Sequence, residues 1–440
     1  MPNLPEKQKI TIQYIEEEIN KVYLLVDKGI IRIILATILG NRLKISEKPI
    51  WLLILAGSSA GKTSIMDIIS KCGKWITSID TLTTNTFASG LKRDEETSLL
   101  HKANDGILVF KDFTTLTSMN EEGLREIMGQ LRAIYDGSFH KKTGNNVEVN
   151  WKGKIGIIAG GTGAAARKMR QFTEQGERFI NYILNVADPE EMAIRAMENI
   201  VDLKEKEEHL REIVAEFVND KLREVRTEAL TIPKELQLQM IKMANFATLT
   251  RSPVTMDKKD PTMVAFVGER EMPARMAMML SNLATSLMII DNEKTLSDFS
   301  ASILYKTALD SIPVDRRMVL RILAEFRQAN TKAIAIKLHY DSTIVRAWCN
   351  QLNALKMIKR LPGGRGRGTS DIWEMDPDFK ETMCKYENIL EKDEVLNVDE
   401  DDEDGEVENA YTTKEQVTVD NLEAVMNELE GRDIPFGFND

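Results

Sequence analysis

The chain has few cysteines and no long apolar run. Its 440 residues include three cysteines, Cys72, Cys349 and Cys384. They are spaced too widely for a disulfide framework or a metal cluster, so we expect a reducing compartment. The longest apolar stretches, residues 30–40 and 49–57, are too short to cross a bilayer, and no secretory signal pattern opens the chain. We therefore expect a cytoplasmic protein with no membrane partner.

Basic residues are nearly missing from the last part of the chain. Residues 387–440 contain 19 acidic and 3 basic residues, a net charge of −16. Because the whole chain carries −11, the residues before this segment carry about +5. The like-charge block at 400–404 is typical of segments that stay disordered. We predict a disordered acidic tail over residues 386–440 on a mildly basic body.

The clearest motif is a loop of small residues between an apolar strand and a helix. It reads Ala56, Gly57, Ser58, Ser59, Ala60, Gly61, Lys62, Thr63 and Ser64. Small residues let the backbone wrap around phosphates, and the helix N-terminus that follows adds N–H donors. Lys62 can reach the β- and γ-phosphates, and Thr63 can ligate Mg²⁺. The motif predicts a P-loop that binds ATP and Mg²⁺ through residues 57–64, and a Gly–Ser turn without a ligand is the alternative.

A second nucleotide motif is the apolar strand at residues 106–111, which ends in Asp112. In P-loop ATPases the strand beside the P-loop ends in an Asp that holds Mg²⁺, so we predict Asp112 as a metal ligand. The alternative is an Asp that only starts the next turn. Phe113 occupies the position of the usual catalytic glutamate, which puts efficient hydrolysis in question. The nearest carboxylates, Glu121 and Glu122, are candidates for positioning water.

Strands that alternate with helices predict an α/β fold with a parallel sheet. The predicted strands are residues 49–56, 74–79, 106–111, 154–159 and 179–185. Two helices at residues 6–28 and 29–43 precede them, and residues 188–310 read as entirely helical. The predicted domains are N-terminal helices (1–43), an α/β core (44–187), a helical lid (188–310), a winged helix (311–380) and the acidic tail (386–440).

The winged-helix prediction comes from the order of short elements near the C-terminus. The predicted helices and strands are 314–328, 331–338 and 342–355, then 357–361 and 371–374. The glycine-rich segment between the strands carries Arg365 and Arg367, which can approach phosphates. We predict DNA contact here, and protein docking is the alternative.

The order of motifs after residue 106 resembles an AAA+ ATPase. The resemblance rests on Val109-Phe110-Lys111-Asp112, Asp136-Gly137-Ser138-Phe139 and the strand from Ile155 to Thr162. It is closest to the branch that inserts a β-hairpin before sensor 1, which includes minichromosome-maintenance helicases and bacterial enhancer-binding activators. The chain also resembles uncharacterised ATPases of phages and mobile elements. The resemblance covers roughly residues 30–376.

The resemblance implies roles for three further residues. Thr162 lies where sensor 1 contacts the γ-phosphate or the attacking water. Arg178 resembles the arginine finger that enters a neighbouring subunit's site, although it could instead cap a helix or pair with Glu174. Arg275 lies where the sensor-2 arginine of the lid is expected, with Arg270 as a competing candidate and a solvated helix-start arginine as the alternative.

The inserted hairpin is predicted at residues 138–142 and 147–151, with His140, Lys141 and Lys142 on one arm. In the helicases that the chain resembles, this hairpin points into a central pore and contacts the DNA backbone. Cations at its tip suit phosphate contacts, which carry no sequence information. The alternative is a hairpin that packs against a neighbour with its lysines exposed.

Together these features predict an ATP-dependent DNA motor, a hexameric ring that serves as a replicative helicase or translocase of a phage or mobile element. A ring is implied because a site that needs Arg178 from a second subunit is incomplete in a monomer. The alternative is an ATP-switched DNA-binding or loading factor without unwinding activity.

Residues 433–436, Asp-Ile-Pro-Phe, resemble the C-terminal peptide of bacterial single-stranded-DNA-binding proteins, which implies a replication partner. A solvated tail is the alternative.

Overall fold

The computed structural model describes residues 9–87, 99–142, 148–170, 177–224, 232–361, 371–387 and 389–396. Arg365, Arg367, Glu174 and the acid block lie outside the described residues, so the predictions on them stay predictions. Among the described residues, no helix combines the length and the apolar character needed to span a bilayer.

The elements alternate along the first part of the chain. In order they are α1 (Ile12–Val22), α2 (Gly29–Arg42), β1 (Trp51–Leu55), α3 (Lys62–Asp67), β2 (Ile76–Ile79), α4 (Leu99–Lys102), β3 (Ile107–Phe110), a 3₁₀ helix (Phe113–Ser118), α5 (Glu121–Tyr135), β4 (Ser138–Lys142), β5 (Glu148–Lys152), β6 (Gly156–Gly161), α6 (Gly163–Arg170) and β7 (Phe179–Ile183).

Helices dominate the second part. In order its elements are α7 (Pro189–Glu198), α8 (Leu203–Glu224), α9 (Lys234–Thr250), β8 (Val254–Met256), β9 (Val264–Val267), α10 (Ala274–Asp291), α11 (Asp298–Asp310), α12 (Val314–Glu325), β10 (Phe326–Asn330), α13 (Thr331–Leu338), α14 (Ser342–Ala354), β11 (Ile358–Leu361), β12 (Ile372–Met375), α15 (Pro377–Glu387) and β13 (Lys392–Leu396).

A five-stranded parallel sheet in the order β2-β3-β6-β1-β7 forms the centre of the α/β fold. The predicted parallel sheet is confirmed, and each strand lies within two residues of its predicted bounds. One expectation was wrong: the strand before Asp112 is not beside the P-loop strand, because β6 lies between them. All three strands are apolar and buried, so nothing in their sequences ranks one neighbour over another.

The P-loop strand β1 is buried on both faces. Trp51, Leu53 and Leu55 belong to an apolar core shared with α5, whereas Leu52 and Ile54 belong to a second core shared with α2. Alternate side chains of a strand point to opposite faces, so a continuous apolar run is what two covered faces require. This double burial holds the start of the P-loop rigidly.

The outer edge of β7 is closed by the end of α11. The Asn181 N–H donates to Ser311 Oγ at 2.9 Å, and the Ile183 N–H donates to Asp310 Oδ2 at 2.7 Å. Lys306 Nζ donates to the Ile183 carbonyl. An edge strand whose backbone groups are occupied cannot recruit a further strand, so the sheet ends at β7. These bonds also attach the helical region directly to the sheet.

Residues 188–310 are not entirely helical, which corrects the sequence prediction. The strands β8 and β9 form an antiparallel hairpin inside this region, between α9 and α10. The hairpin begins after Pro253, and its final residue is followed by Gly268, whose N–H donates to the Pro253 carbonyl at 2.9 Å. Each strand is too short to show alternation in sequence, so the pattern alone did not separate it from helix.

The C-terminal elements form a four-stranded sheet in the order β11-β12-β10-β13, with α12, α13 and α14 before its hairpin. The first predicted helix is shorter than expected, because the chain turns extended at Phe326 and continues as β10. Trp373 on β12 donates to Thr331 Oγ1 at 2.8 Å inside this unit.

The acidic tail does not begin at residue 386, which corrects its predicted boundary. The strand β13 pairs in parallel with β10. Glu387, whose side chain is 5% exposed, pairs with Arg317 at 2.6 Å and with Arg321 at 2.9 Å. Charge composition missed this because Glu387 is neutralised by partners that lie about 70 residues earlier in the chain.

Lys221 on α8 is a buried cation at the C-terminal end of α10. Its ammonium group donates to the Ile289 carbonyl at 2.7 Å and to the Asn292 side chain, and the residue is 2% exposed. Burial lowers the pKa of Lys221 to about 8, from an ordinary 10.5. The nearby Lys9 lowers it further, and Glu224 and Asp291 oppose the shift. The folded chain therefore releases this proton at lower pH than the unfolded chain does.

Stability should rise with pH because of Lys221. Below pH 8 both states hold the proton and the cost of burying the charge is fully present; between pH 8 and 10.5 only the folded state has lost it. From pH 7.5 to 9.5, the free energy of unfolding of the wild type should rise by up to about 2 kcal/mol relative to Lys221→Met. Urea unfolding at both pH values measures this, with the exposed Lys71→Met as the control for loss of charge. Parallel pH profiles for wild type and Lys221→Met would contradict it.

Candidate nucleotide-binding site

The loop from Ala56 to Gly61 connects the carboxyl end of β1 to α3. Ser59 has φ 61° and Gly61 has φ 75°, so the backbone turns sharply before the helix. A Cβ added at Gly57 or Gly61 would meet no protein atom within 4 Å. The two glycines therefore border open space and are not required by a neighbour in the chain. This is the geometry that a phosphate-wrapping backbone needs.

Lys62, the first residue of α3, points back over the loop. Its Nζ donates to the Ala56 carbonyl at 3.0 Å and to the Gly57 carbonyl. Partial burial lowers the pKa of Lys62, and the negative charge of Asp112 acts in the opposite direction. The ammonium group thus lies within electrostatic reach of Asp112. A phosphate in the loop would offer Lys62 a stronger, charged acceptor than the two carbonyls.

Asp112 and Thr162 lie at the same edge of the sheet as the P-loop. Leu55 pairs with Gly161, and Phe110 pairs with Ala159, so the residues that follow each strand emerge together. Asp112 and Thr63 are both exposed at this edge. Thr162 caps α6, because its Oγ1 accepts from the Ala165 N–H at 3.4 Å. The sheet therefore brings Asp112 and Thr162 to the edge that holds the loop with Lys62 and Thr63.

The site suits Mg²⁺ held partly by phosphates. Among the described residues, no group of three or more His, Cys, Asp or Glu side chains could hold a metal alone. Mg²⁺ typically takes one or two protein oxygens and completes its octahedron with phosphates and water. The Thr63 hydroxyl and the Asp112 carboxylate match this donor set, so the residues present fit Mg²⁺ bound together with ATP.

An ion-pair chain ties α3 to the strand that carries Asp112. Asp67, the last residue of α3, pairs with Lys111 at 3.4 Å and with Arg211 of α8 at 2.8 Å. Arg211 also pairs with Glu207 at 3.2 Å. These contacts hold the helix that begins with Lys62 against α8 and against Lys111, the residue before Asp112. Sequence reasoning missed them because the partners are distant along the chain.

Phe113 belongs to the core and has no role in proton transfer. Its ring is fully buried and lies 5.1 Å from the Phe110 ring and 5.7 Å from the Phe179 ring, centroid to centroid. Glu121 and Glu122 lie exposed in the first turn of α5. The assignment of either glutamate as the water-positioning group therefore stays a prediction.

Arg178 and Arg275 lie at the opposite edge of the sheet from the P-loop. Arg178 directly precedes Phe179, which pairs with the first residue of β1, whereas the P-loop follows the last. Arg178 pairs with Asp136 at 3.8 Å, and Arg275 Nη1 donates to the Glu177 carbonyl at 3.2 Å. Each guanidinium lies 5.9 Å from the centre of the Tyr135 ring. The strand β1, whose five residues span roughly 13 Å, separates this edge from the edge at which the P-loop begins.

Positive charge accumulates around Tyr135. Burial lowers the pKa of Arg178 to about 10, and the positive charges of Arg275 and Arg132 lower it further, against the pull of Asp136. Arg132 is a residue that sequence reasoning missed. It precedes Tyr135 by three positions and Asp136 by four, a helical spacing that places the three on one face of α5. The three guanidiniums face two carboxylates, Asp136 and Glu271, of which Glu271 pairs with Arg275 at 3.7 Å, so the cluster keeps a net positive charge that attracts an anion.

The predicted hairpin is present as the antiparallel pair β4–β5. Phe139 and Trp151 are buried and anchor it to the core. Lys141 shares this inward face and pairs with Glu126 at 2.7 Å, so it is directed to the body of the protein. His140 and Lys142 are exposed on the outward face.

The alternation also identifies Lys152 as a cation that the prediction missed. It pairs with Ser138 across the ribbon and is exposed on the same outward face as His140 and Lys142. A glutamate, Glu148, lies on that face as well and approaches His140 at 3.4 Å. The outward face therefore offers two lysines and an imidazole for phosphate contact, partly offset by one carboxylate.

Comparisons with known proteins assign no family to the chain. No protein-family model matches the chain, and no curated protein matches it. The fold is α/β, with a five-stranded parallel sheet whose carboxyl edge is compatible with a P-loop-like core.

Proposed function

We propose that the protein is an ATP-dependent DNA motor of the AAA+ class that acts as a ring, as a helicase or translocase. The observation that carries the proposal is the separation of two half-sites. Lys62 and Asp112 lie at the carboxyl edge of the sheet, and the cluster of Arg132, Arg178 and Arg275 lies at the opposite edge. One chain cannot join them. Two copies can form a complete site. The arginines of one copy then face the phosphates held at the carboxyl edge of the other copy's sheet.

Arg275 then acts between subunits, together with Arg178. A sensor-2 arginine of the lid would instead act on the nucleotide of its own chain. Arg275 donates to the Glu177 carbonyl, next to Arg178, and lies at the edge of the sheet opposite its own P-loop. Guanidinium groups stabilise charge on a transferring phosphoryl group most when they are held in place beforehand. The Asp136 carboxylate beside Arg178 and the Glu177 carbonyl that accepts from Arg275 support such preorganisation.

Two features of the topology support the AAA+ assignment. The strand ending before Thr162 lies between the P-loop strand and the strand ending before Asp112, a position that suits the sensor-1 role that the resemblance implies for Thr162. The β4–β5 hairpin comes directly before that inserted strand. The C-terminal order helix, strand, helix, helix and two-stranded hairpin supports a winged helix, and its second and third helices match the arrangement that lays a helix on DNA.

A second candidate is an ATP-switched DNA-binding or loading factor. The burial of Phe113 favours this second candidate. Phe113 stands where a P-loop ATPase usually has the glutamate that positions water, and its side chain is part of the core. The two functions separate in a strand-displacement assay on forked DNA run beside an ATPase assay with and without DNA. A motor should show DNA-stimulated turnover and displacement, whereas a loader should show nucleotide-dependent DNA binding without displacement. A protein that neither hydrolyses ATP nor binds DNA would exclude both.

Removal of the acidic tail should strengthen DNA binding. A chain that ends after Leu396 keeps Glu387 and β13 and loses most of the acidic residues, which compete with DNA for basic surface. We expect a several-fold gain in DNA affinity at low salt that disappears near molar salt, and unchanged basal ATPase activity. Fluorescence anisotropy over a salt series measures it. Unchanged affinity, with loss of a captured replication protein, would favour residues 433–436 as a docking peptide.

The position of the cut matters. A chain that ends after Lys385 lacks Glu387 and leaves Arg317 without one of its two carboxylate partners. We expect this version to be about 3 kcal/mol less stable, because it breaks the buried pair between Glu387 and Arg317 and deletes β13 from the sheet. The two truncations together separate the role of the tail in DNA binding from the role of β13 in folding.

A further inference from the structure

The β8–β9 hairpin packs on α14 and leaves a cleft beside it. Asn350 Nδ2 of α14 donates to the Thr262 carbonyl of the hairpin loop at 2.7 Å, which fixes the hairpin on the helix. The cleft has a volume of about 390 Å³ and is open to solvent on one side. Met263, Val264 and Ala354 contribute an apolar wall, and the remaining lining is polar. Its size suits a small polar group and a short length of chain.

Two arginines from different elements converge at this cleft on one carboxylate. Arg346 of α14 pairs with Asp371 at 3.8 Å, and Arg360 of β11 pairs with the same side chain. The Asp371 side chain is 13% exposed, whereas those of Arg346 and Arg360 are 46% and 59% exposed. A carboxylate has too few lone pairs to saturate the N–H donors of two guanidiniums. The cleft therefore has an excess positive charge and outward donors.

We propose that the cleft between the β8–β9 hairpin and α14 binds a phosphate of the DNA backbone through Arg346 and Arg360. The inference rests on the proposed DNA-binding function. Asp371 acts as a positioning residue, since it orients both guanidinium groups from a largely buried position. Planar guanidiniums bind phosphate oxygens in a bidentate manner, and the apolar wall packs against a sugar.

The position of the cleft supports this ligand. α14 is the helix that a winged helix lays against DNA, and the segment that connects Arg360 to Asp371 in sequence carries Arg365 and Arg367. The hairpin adds a wall beside this helix through Thr262, Met263 and Val264. Without the hairpin, α14 would have an open face in place of a cleft.

The test replaces both arginines with glutamine in the full chain, as Arg346→Gln combined with Arg360→Gln. Glutamine can still donate to Asp371, while the positive charge is removed. We expect at least about a tenfold loss of affinity for a labelled duplex at low salt. The slope of log K against log salt should flatten by about 0.9 for each phosphate that the protein no longer neutralises. Basal ATPase activity and Tm should stay at wild-type values.

Two controls make the result decisive. The pair Arg346→Lys with Arg360→Lys keeps the charge, so it should keep the wild-type salt slope. Arg223→Gln on α8 removes an exposed, ion-paired arginine from a helix that packs on α1 and α2, and it should change nothing. A wild-type slope in the glutamine pair would overturn the inference. Equal reductions of affinity in the glutamine and lysine pairs with a lowered Tm would also overturn it, since they indicate a purely structural role. A wild type that binds no DNA would refute the proposed function itself.

Discussion

Replacing Lys62 with alanine should abolish ATP hydrolysis and leave the fold intact. Within the described part of the chain, Lys62 Nζ donates to the carbonyls of Ala56 and Gly57 alone, so the substitution breaks no bond between distant elements. Under the proposed function, Lys62 is the cation that contacts the β- and γ-phosphates. Loss of a preorganised group of this kind lowers kcat by about 100-fold or more. Steady-state ATPase assays beside a thermal unfolding curve measure both parts of the prediction.

Lys71→Ala is the matched control for this variant. Lys71 follows α3 closely in sequence, is 42% exposed and pairs with Glu208 and Glu212, so its removal deletes the same charge without touching the loop. We expect turnover within about twofold of wild type. If Lys62→Ala hydrolysed ATP at the wild-type rate, the loop would not be the phosphate site and the proposed function would fail at its first step.

Arg178→Ala should bind ATP with nearly normal affinity and hydrolyse it very slowly. An arginine that enters from a second subunit stabilises the transition state more than the ground state, and its removal typically lowers kcat by about 10³-fold or more. Arg178 lies at the edge of the sheet opposite its own P-loop, so a loss of turnover cannot come from a direct contact within one chain. Nucleotide titration and ATPase rates at concentrations where the wild type assembles separate binding from turnover.

Mixing variants tests the transfer of the arginine between copies. Arg178→Ala mixed with Lys62→Ala should recover part of the turnover, because one interface then combines an intact P-loop with an intact Arg178. A mixture of Arg178→Ala with the double variant Lys62→Ala and Arg178→Ala supplies no intact arginine and should recover nothing. Recovery in both mixtures, or in neither, would assign Arg178 a structural role beside Tyr135 and Asp136.

The parts that could be predicted from the sequence depend on local signals. The strand β1 and the loop up to Thr63 were identifiable because an apolar run, small residues and a lysine lie next to one another. The carboxylate of Asp112 could be found for the same reason, since it directly follows a buried strand. The anchor residues Phe139 and Trp151 alternate with polar residues, which made the β4–β5 hairpin recognisable.

Other features depend on residues that are far apart in sequence. Arg132 became a candidate site residue only because the fold places Arg178 and Arg275 close to it, beside Tyr135. The strand β13 looked like part of an acidic tail, because its pairing with β10 and the neutralisation of Glu387 are long-range contacts. The cleft beside α14 required a hairpin whose two short strands showed no period in the sequence.

The sequence alone determined the local chemistry of this protein: a backbone loop suited to phosphate, a lysine and a threonine at its end, and a carboxylate after a second buried strand. Only the tertiary structure decided that these residues share one edge of the sheet and that three arginines occupy the other. Residues that are close in sequence are held near one another by the covalent geometry of the backbone, so their neighbourhood can be predicted. Strand order and packing set which distant groups meet, since they follow from the burial of apolar faces summed over the whole chain.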